Sequence, residues 1–331
     1  MRSLGSVQQK MPCVFTTDIK EEKSRKRDGQ SYQVVATETL NSIAVDADVE
    51  SALATEKVDG TCCYVSLLRG EPCLWARLDR KPNKQAEKRF KRHQQVHRSG
   101  KGFYWTVDQD FKPVPESWIP AHGVQRENER LVPDENGHIP GWVPVQSDSK
   151  QYCWHSSVVD YELGAALLLT PTSHNNSSAC SAPCGLQVEL QLTAVPLTEL
   201  LEHTLELIGT NVNGNPYGLG CKKRPVHCLV SHGSIPLVLP PPLNLQNLRS
   251  WFQSGPEGRV EGIVWHCRDG TLLKLHRHHL GLRWPDGDTL LGSRSVCVHM
   301  DQDDHNHDLF SSLSKLNGRR FERLQDLNFD T

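Results

Sequence analysis

Residues 53–68 read Leu-Ala-Thr-Glu-Lys-Val-Asp-Gly-Thr-Cys-Cys-Tyr-Val-Ser-Leu-Leu. Two apolar segments flank the polar motif Glu56-Lys57-Val58-Asp59-Gly60-Thr61, and the second segment, Cys62–Leu68, contains Tyr64 and Val65. This pattern predicts a strand, a tight connection that contains the lysine motif, and a second strand. The turn signal Arg69-Gly70-Glu71-Pro72 follows, so Cys73–Leu78 is expected to return as the partner strand.

The remaining elements predict an α+β fold that is rich in antiparallel sheet. Helices are expected at Lys84–Val96 and Leu243–Phe252, and strands at Val158–Leu169, Leu186–Leu192, Arg259–His266 and Thr271–His276. Arg268-Asp269-Gly270 is the turn of the last hairpin. The order of elements indicates one main domain rather than a repeat array.

Three regions follow from the distribution of polar and apolar residues. Residues 1–30 are polar and are expected to form a flexible lead-in. Residues 31–285 form the main domain, with an insert rich in proline and tryptophan around 111–150. Residues 286–331 are expected to form a polar C-terminal extension whose His/Asp cluster either binds metal or, more often for such a composition, is disordered.

Composition excludes several classes of protein. The chain is 37% hydrophobic and 23% charged, with a formal net charge of −2, as in ordinary globular proteins. No apolar run is long enough to span a membrane, and the N-terminus lacks a secretory signal. The 11 cysteines are scattered without a Cys-x-x-Cys pair, which favours reduced thiols and an intracellular location, in the cytoplasm, the nucleus or both.

Lys57 is the candidate nucleophile. A lysine amine attacks only when it is neutral, which requires burial and nearby positive charge to depress its pKa. Lys26-Arg27-Asp28-Gly29 has the same spacing but lies in a charged polar run, whereas Lys57 lies between apolar strands. Asp59 is suited to a metal or a sugar hydroxyl, and Gly60 permits close approach of the backbone to a nucleotide.

Five charged residues lie in short motifs along the chain, in the order Lys57, Arg77, Glu206, Glu261 and Lys274. In type and order these motifs resemble those of the covalent nucleotidyltransferase superfamily, which includes DNA ligases, RNA ligases and mRNA capping enzymes. The resemblance implies that Lys57 becomes adenylylated and that Arg77 holds the ribose and 5′-phosphate. It further implies that Glu206 binds ribose hydroxyls, that Glu261 recruits metal, and that Lys274 contacts the α-phosphate.

The same resemblance implies the fold, the cofactors and the remaining site residues. It implies an adenylyltransferase domain of the ATP-grasp-like ligase type without a C-terminal OB-fold. ATP and Mg²⁺ (or Mn²⁺) are the expected cofactors. Glu56, Asp59 and Gly60 are expected to complete the nucleotide site, and Asp59 to share the metal with Glu261.

The sequence is most similar to the vertebrate 5′–3′ RNA ligase family. The similarity is marked at Gly209-Thr210-Asn211-Val212-Asn213-Gly214-Asn215-Pro216-Tyr217-Gly218 and at Leu275-His276-Arg277-His278-His279-Leu280. It implies an ATP-dependent enzyme that joins an RNA 5′-phosphate to a 3′-hydroxyl through lysyl-AMP and AMP-capped RNA. RNA is the expected partner, with no membrane and no obligate protein partner.

Two positions depart from the family pattern. His276 stands where the last motif usually has a second lysine, so either Arg277 or His276 supplies the second phosphate contact. No aromatic residue follows Glu206 at the usual spacing, and His227 is the nearby ring considered for stacking on adenine.

Other interpretations stay open. A DNA ligase or mRNA guanylyltransferase is the alternative within the superfamily, but 57 residues follow Lys274, too few for a typical OB-fold barrel. A non-catalytic RNA-binding protein of the same fold is the alternative from another class. Taken singly, Arg77 fits an exposed strand arginine and Glu206 a helix-face carboxylate, while Glu261 and Lys274 fit a cross-strand ion pair.

The basic stretch after the lysine motif has two interpretations. Lys88, Arg89, Lys91 and Arg92 either contact the RNA backbone or form a solvated helix face. A ligase has to hold the phosphate backbone of its substrate, so we favour RNA contact.

Overall fold

The computed structural model describes residues 6–22, 33–97, 102–172, 188–285, 288–300 and 308–329. Its strands are β1 (Phe15–Lys20), β2 (Gln33–Leu40), β3 (Leu53–Lys57), β4 (Thr61–Leu68), β5 (Glu71–Arg77), β6 (Ile119–Pro120), β7 (Arg126–Glu127), β8 (Arg130–Leu131), β9 (Gly141–Pro144), β10 (Val159–Asp160), β11 (Ala165–Pro171), β12 (Leu190–Pro196), β13 (Thr204–Gly209), β14 (His227–Ser231), β15 (Gly262–His266), β16 (Leu272–His276), β17 (Val296–His299) and β18 (Arg320–Phe321). Its α-helices are α1 (Ser42–Asp46), α2 (Lys84–His97), α3 (Val107–Asp110), α4 (Cys153–Ser156), α5 (Leu245–Ser254) and α6 (Asp308–Ser314).

The larger sheet has the order β18-β17-β12-β11-β14-β13-β4-β5-β9-β6, with β10 paired beside β11. It is mixed, because β11 with β14 and β12 with β17 are parallel pairs and the other pairs are antiparallel. The prediction of a strand-rich fold that also contains helices is confirmed at this level.

A second, smaller sheet has the order β16-β15-β3, all antiparallel. One face packs with β1, α1 and α5 into a core that includes Phe15, Ala44, Leu248, Ile263 and Leu275. Because side chains alternate along a strand, the opposite face of this sheet is left to border the larger sheet.

The lysine motif is the crossing point between the two sheets. β3 belongs to the small sheet and β4 to the large one, so Val58-Asp59-Gly60 carries the chain across within three residues. The predicted strand–motif–strand pattern is confirmed, and the connection proves to join two sheets rather than two neighbouring strands.

The N-terminal lead-in expected at 1–30 is structured over residues 6–22. Val14 N donates to the Lys274 carbonyl (2.9 Å) and Lys274 N donates to the Pro12 carbonyl (3.0 Å), which extends the edge of β16. Phe15 is buried in the small core. Main-chain pairing of this kind leaves no periodic signal, so composition alone favours a loose segment.

The C-terminal segment expected as a polar extension also joins the fold. β17 pairs with β12, and Leu309, Phe310 and Leu313 of α6 are buried in the main core. The His/Asp cluster is largely outside the described residues, which resume at Asp308.

None of the helices in the described ranges combines the length and apolar character that crossing a membrane requires.

The structured lead-in generates a stability prediction. Phe15→Ala is expected to lower the free energy of unfolding by about 3–5 kcal/mol, because it empties a fully enclosed site. Urea unfolding measures this, with Ile19→Ala as control: Ile19 lies in the same strand but is 69% exposed and should change stability by less than about 0.5 kcal/mol. Equal, small effects of both substitutions would contradict the packing described for β1.

Candidate active site

A cavity of about 250 Å³ lies between the two sheets. On the large sheet Cys62 pairs with Glu206 and Glu206 pairs with Val230, so the three side chains share one face. Arg77 follows Ala76, the partner of Cys63, and therefore lies on the same face as Cys62. These four residues border the cavity.

The small sheet provides the facing wall. Thr55 pairs with Val264, which pairs with Lys274, so this row points one way across all three strands. Lys57, two residues after Thr55, points the same way, and all four residues border the cavity. The structure thus brings Lys57, Arg77, Glu206 and Lys274 around one space, as the resemblance implied.

Glu261 lies beneath Lys57, just before β15. Lys57 Nζ donates to Glu261 Oε2 (2.5 Å), and His276 Nε2 bonds Glu261 Oε1. Glu261 is only 3% exposed. Burial alone would raise the pKa of Glu261, but Lys57 and His276 outweigh burial and hold that pKa far below its usual range. His276, considered from the sequence as a phosphate contact, thus contacts the Glu261 carboxylate in this structure.

Lys57 is held as an ammonium in this state. Burial acts to lower the pKa of Lys57, but the charges of Glu261, Glu206 and Asp59 outweigh it, so the pKa is raised. The sequence predicted that nearby positive charge depresses this pKa, but the neighbouring charges that shift it are carboxylates, so the shift is upward.

The backbone of the lysine motif is fixed by the large sheet and the 209–218 loop. Gly60 N donates to Glu206 Oε1 (3.1 Å), and Asp59 N donates to the Tyr217 hydroxyl (2.6 Å). Asn213 Nδ2 donates to Asp59 Oδ1 (2.9 Å) and to the Gly60 carbonyl. A Cβ on Gly60 would lie 2.2 Å from the Leu207 carbonyl, so only glycine fits there.

Glu206 and Arg77 each have partners that the single-residue interpretations did not foresee. Glu206 lies within β13, not on a helix face, and its Oε2 contacts His232 Nε2 (2.8 Å). Arg77 is largely enclosed: Nε donates to Asp79 (2.6 Å) and Nη1 to the Gln8 carbonyl (2.6 Å). Its guanidinium lies 4.8 Å from the Trp142 ring centroid.

The carboxylate of Glu56 is directed away from the nucleotide cavity. Glu56 pairs with Ile263, a residue of the small core, so its side chain lies on the face opposite Lys57. Burial raises its pKa to about 7, against the lowering effect of Arg294. Glu56 borders the cavity, but its place in the strand makes a side-chain contact with the nucleotide unfavourable.

His227, the ring considered for stacking on adenine, does not border the cavity. His227 is buried elsewhere, where it bonds the Thr210 carbonyl (2.7 Å) and Ser157 Oγ (3.0 Å) and packs on Trp154. His232 and His266 line the cavity instead. Burial, with a contribution from His232, lowers the pKa of His266 to about 4, so this ring is neutral near pH 7.

Several cavity residues escaped the sequence analysis. Val7, Gln9, Lys10 and Met11 of the lead-in form one wall, and no local pattern indicates this. Tyr217 and Asn213 lie in the stretch already noted for its similarity to RNA ligases. That similarity was a usable signal for a role beside the lysine motif.

The expected metal ligands are chemically suitable for magnesium. Glu261 and Asp59 offer carboxylate oxygens near Lys57, and magnesium usually takes one or two carboxylates together with water and substrate phosphate. Cys62, Glu206 and His232 also offer atoms within 4.8 Å of one another. A thiol and an imidazole are not the oxygen donors that magnesium prefers.

The basic stretch forms α2, as predicted, but its cations are not equivalent. Arg89 Nη2 donates to the buried Asp110 (2.7 Å), and Lys91 pairs with Glu87 one turn earlier (2.7 Å). Lys88 and Arg92 are exposed. Arg89 thus ties α2 to α3, directly before the insert.

Comparison with known proteins is unambiguous. The family model described as RNA ligase 1 matches residues 1–330. The chain is 57% identical to RNA ligase 1 of Danio rerio and 55% identical to those of Mus musculus and Rattus norvegicus. Each alignment covers 100% of both chains.

The Lys57–Glu261 pair generates a pH prediction that needs no metal or nucleotide. A raised pKa means that the neutral amine appears only above the usual lysine pKa of about 10.4. Glu261→Gln removes the main raising charge and leaves burial, so the pKa of Lys57 should fall. Amine acetylation of Lys57 as a function of pH, followed by mass spectrometry, is expected to shift to lower pH in this variant.

Glu87→Gln is the matched control for this shift. It removes an exposed carboxylate that pairs with Lys91, so the acetylation profile of Lys57 should not move. If Lys57 in the parent protein reacts below the usual lysine range, its carboxylate neighbours do not control its pKa.

Proposed function

The chain belongs to the RNA ligase 1 family and is an enzyme that joins RNA ends; from that premise we propose an ATP-dependent reaction with lysyl-AMP and AMP-capped RNA as intermediates. The observation that supports this most directly is the Lys57–Glu261 pair at the floor of a cavity that Lys274 and Arg77 also border. The amine of Lys57 is thereby placed among groups suited to a nucleotide.

In the first step, the neutral amine of Lys57 attacks the α-phosphorus of ATP. The new N–P bond forms as the bond to pyrophosphate breaks, and the electron pair leaves with pyrophosphate. Lys274 lies two strands away from Lys57 in the small sheet. It offsets negative charge on the transferring phosphoryl group. Arg77 holds the ribose and the 5′-phosphate of the nucleotide, and Glu206 accepts hydrogen bonds from the ribose hydroxyls.

Activation of Lys57 requires a change of partner. Glu261 and Asp59 would hold Mg²⁺ (or Mn²⁺), which supplies positive charge to the carboxylate and the phosphates. With Glu261 compensated in this way, Lys57 no longer has to remain protonated, and burial then favours its neutral form. His276 keeps the other oxygen of Glu261 in place.

In the second and third steps, the acceptor is RNA. An oxygen of the RNA 5′-phosphate attacks the phosphorus of lysyl-AMP, which returns the amine and gives AMP-capped RNA. A 3′-hydroxyl then attacks the 5′-phosphate, forms the phosphodiester bond and releases AMP. The cations of α2 that contact the RNA backbone are Lys88, Lys91 and Arg92. Arg89 instead pairs with Asp110 and so holds α2 in place.

Other features complete the proposal. We assign the fold to the ATP-grasp-like ligase type of nucleotidyltransferase, without an OB-fold. The residues described after Lys274 support this, since β17 and β18 extend the large sheet. We expect an intracellular protein, cytoplasmic, nuclear or both, without an obligate protein partner. Membership of the RNA ligase 1 family argues against the alternatives considered from the sequence, which were a DNA ligase, a guanylyltransferase and a non-catalytic RNA-binding protein.

Labelling with α-³²P nucleotides tests the first step. ATP should label the parent protein in a form stable to denaturation, and Lys57→Ala should abolish the label. Lys26→Ala, in the tetrapeptide of the same spacing, is the control and should retain it. Preferential labelling by GTP, or an ATP label that persists in Lys57→Ala, would contradict the proposed first step.

The contribution of α2 is separable from adenylylation. Reversing charge at Lys88, Lys91 and Arg92, but keeping Arg89, should spare lysyl-AMP formation and weaken joining of 5′-phosphorylated RNA. Loss of three single-strand phosphate contacts should flatten the slope of log affinity against log salt by about 2.

Lys315→Glu with Arg319→Glu is the control for charge reversal, because these exposed residues precede β18 at the far edge of the large sheet. The α2 surface is a solvated helix face if the triple variant joins RNA at the rate of this control.

A further inference from the structure

His232 links the carboxylate of Glu206 to Thr204. His232 follows β14 directly, and Thr204 and Glu206 point to the same face of β13. His232 Nδ1 lies 2.9 Å from Thr204 Oγ1, and Nε2 lies 2.8 Å from Glu206 Oε2. Val7 N, from the lead-in, donates to the same Thr204 oxygen (2.8 Å).

These contacts determine which ring nitrogen of a neutral His232 carries the proton. The Glu206 carboxylate can only accept, so the proton of the neutral ring is on Nε2, which donates to Glu206 Oε2. Nδ1 of that ring then accepts from Thr204 Oγ1, and the same hydroxyl accepts from Val7 N. The chain of hydrogen bonds therefore runs in one direction, from Val7 to Glu206.

Glu206 is oriented at both of its oxygens. Oε1 accepts from Gly60 N and Oε2 accepts from His232. Each carboxylate oxygen retains a second lone pair, and the side chain borders the cavity. The carboxylate is thus prepared to accept hydrogen bonds from a ligand, and a diol is the complementary donor.

We propose that His232 is a positioning residue, held by Thr204, that orients Glu206 toward the ribose hydroxyls and so makes the enzyme select ribonucleoside over deoxyribonucleoside triphosphates. The inference rests on the proposed function, because it takes the ligand of the cavity to be ATP. It adds to that site a preference for ribose over deoxyribose, which depends on His232 as well as on Glu206.

Binding of analogues that cannot transfer AMP tests the proposal separately from catalysis. The probes are the α,β-methylene analogue of ATP and its 2′-deoxy and 3′-deoxy forms, measured by calorimetry with the full chain. The parent protein should prefer the ribose form. His232→Ala should weaken that form about tenfold and change whichever deoxy form has lost the recognised hydroxyl by less than about twofold.

Further variants distinguish positioning from general stability. His232→Gln keeps a side-chain N–H donor and should restore most of the preference, whereas Thr204→Val, which removes the hydroxyl, should reduce it and Thr204→Ser should preserve it. His203→Ala, an exposed histidine on the adjoining turn, should leave the preference unchanged.

Two results would overturn the proposal. One is an equal loss of affinity for all three analogues in His232→Ala, which means that the ring supports the fold alone. The other is an unchanged preference in that variant. Failure of ATP to label Lys57 in the parent protein would instead refute the proposed catalysis, and the binding measurements would still decide the role of His232.

Discussion

The ion pair between Lys57 and Glu261 is the interaction on which the rest of the site depends. A carboxylate this deeply enclosed is costly to desolvate, by roughly several kcal/mol, unless cations and donors surround it. Lys57 and His276 each take one of its oxygens. Removal of either partner would leave a buried charge poorly compensated, so His276 supports Glu261 at the position where the family pattern has a second lysine. The reactive amine is therefore protected as an ammonium until the charge balance changes.

The second constraint is the short crossing from β3 to β4. Lys57 belongs to the small sheet, but Asp59 and Gly60 are held by Tyr217, Asn213 and Glu206 of the larger unit. Gly60 passes so close to the Leu207 carbonyl that no side chain is accommodated. Three residues thus fix the distance between Lys57 on one wall and Glu206 on the other. A single lysine motif determines both the chemistry and the separation of the sheets.

Local patterns predict much of this arrangement. Alternation indicates β3, β4 and β5, the hairpin of β15 and β16 is evident from its turn, and α2 from its composition. The family resemblance of the sequence points to Lys57, Arg77, Glu206 and Lys274, and all four residues border the cavity. Alternation along β3 also places the side chains of Glu56 and Lys57 on opposite faces of the sheet. The family resemblance, by contrast, assigns both residues to the nucleotide site.

What escaped prediction depends on pairing between distant segments. His232 meets Glu206 only because β13 and β14 are antiparallel in one register. Pro12 and Val14 contact Lys274 through main-chain atoms, which every sequence possesses.

The charge pattern of the cavity has a consequence for recognition. Arg77 is paired with Asp79, Lys57 with Glu261, and Lys10 at the rim with Asp134. A triphosphate entering the cavity must therefore exchange places with carboxylates rather than meet bare cations, so Coulomb attraction contributes less to net affinity than the number of cations suggests. Selectivity then comes from how well a ligand replaces each carboxylate and satisfies Glu206 at the same time. Inorganic anions can do the first but have no diol for the second.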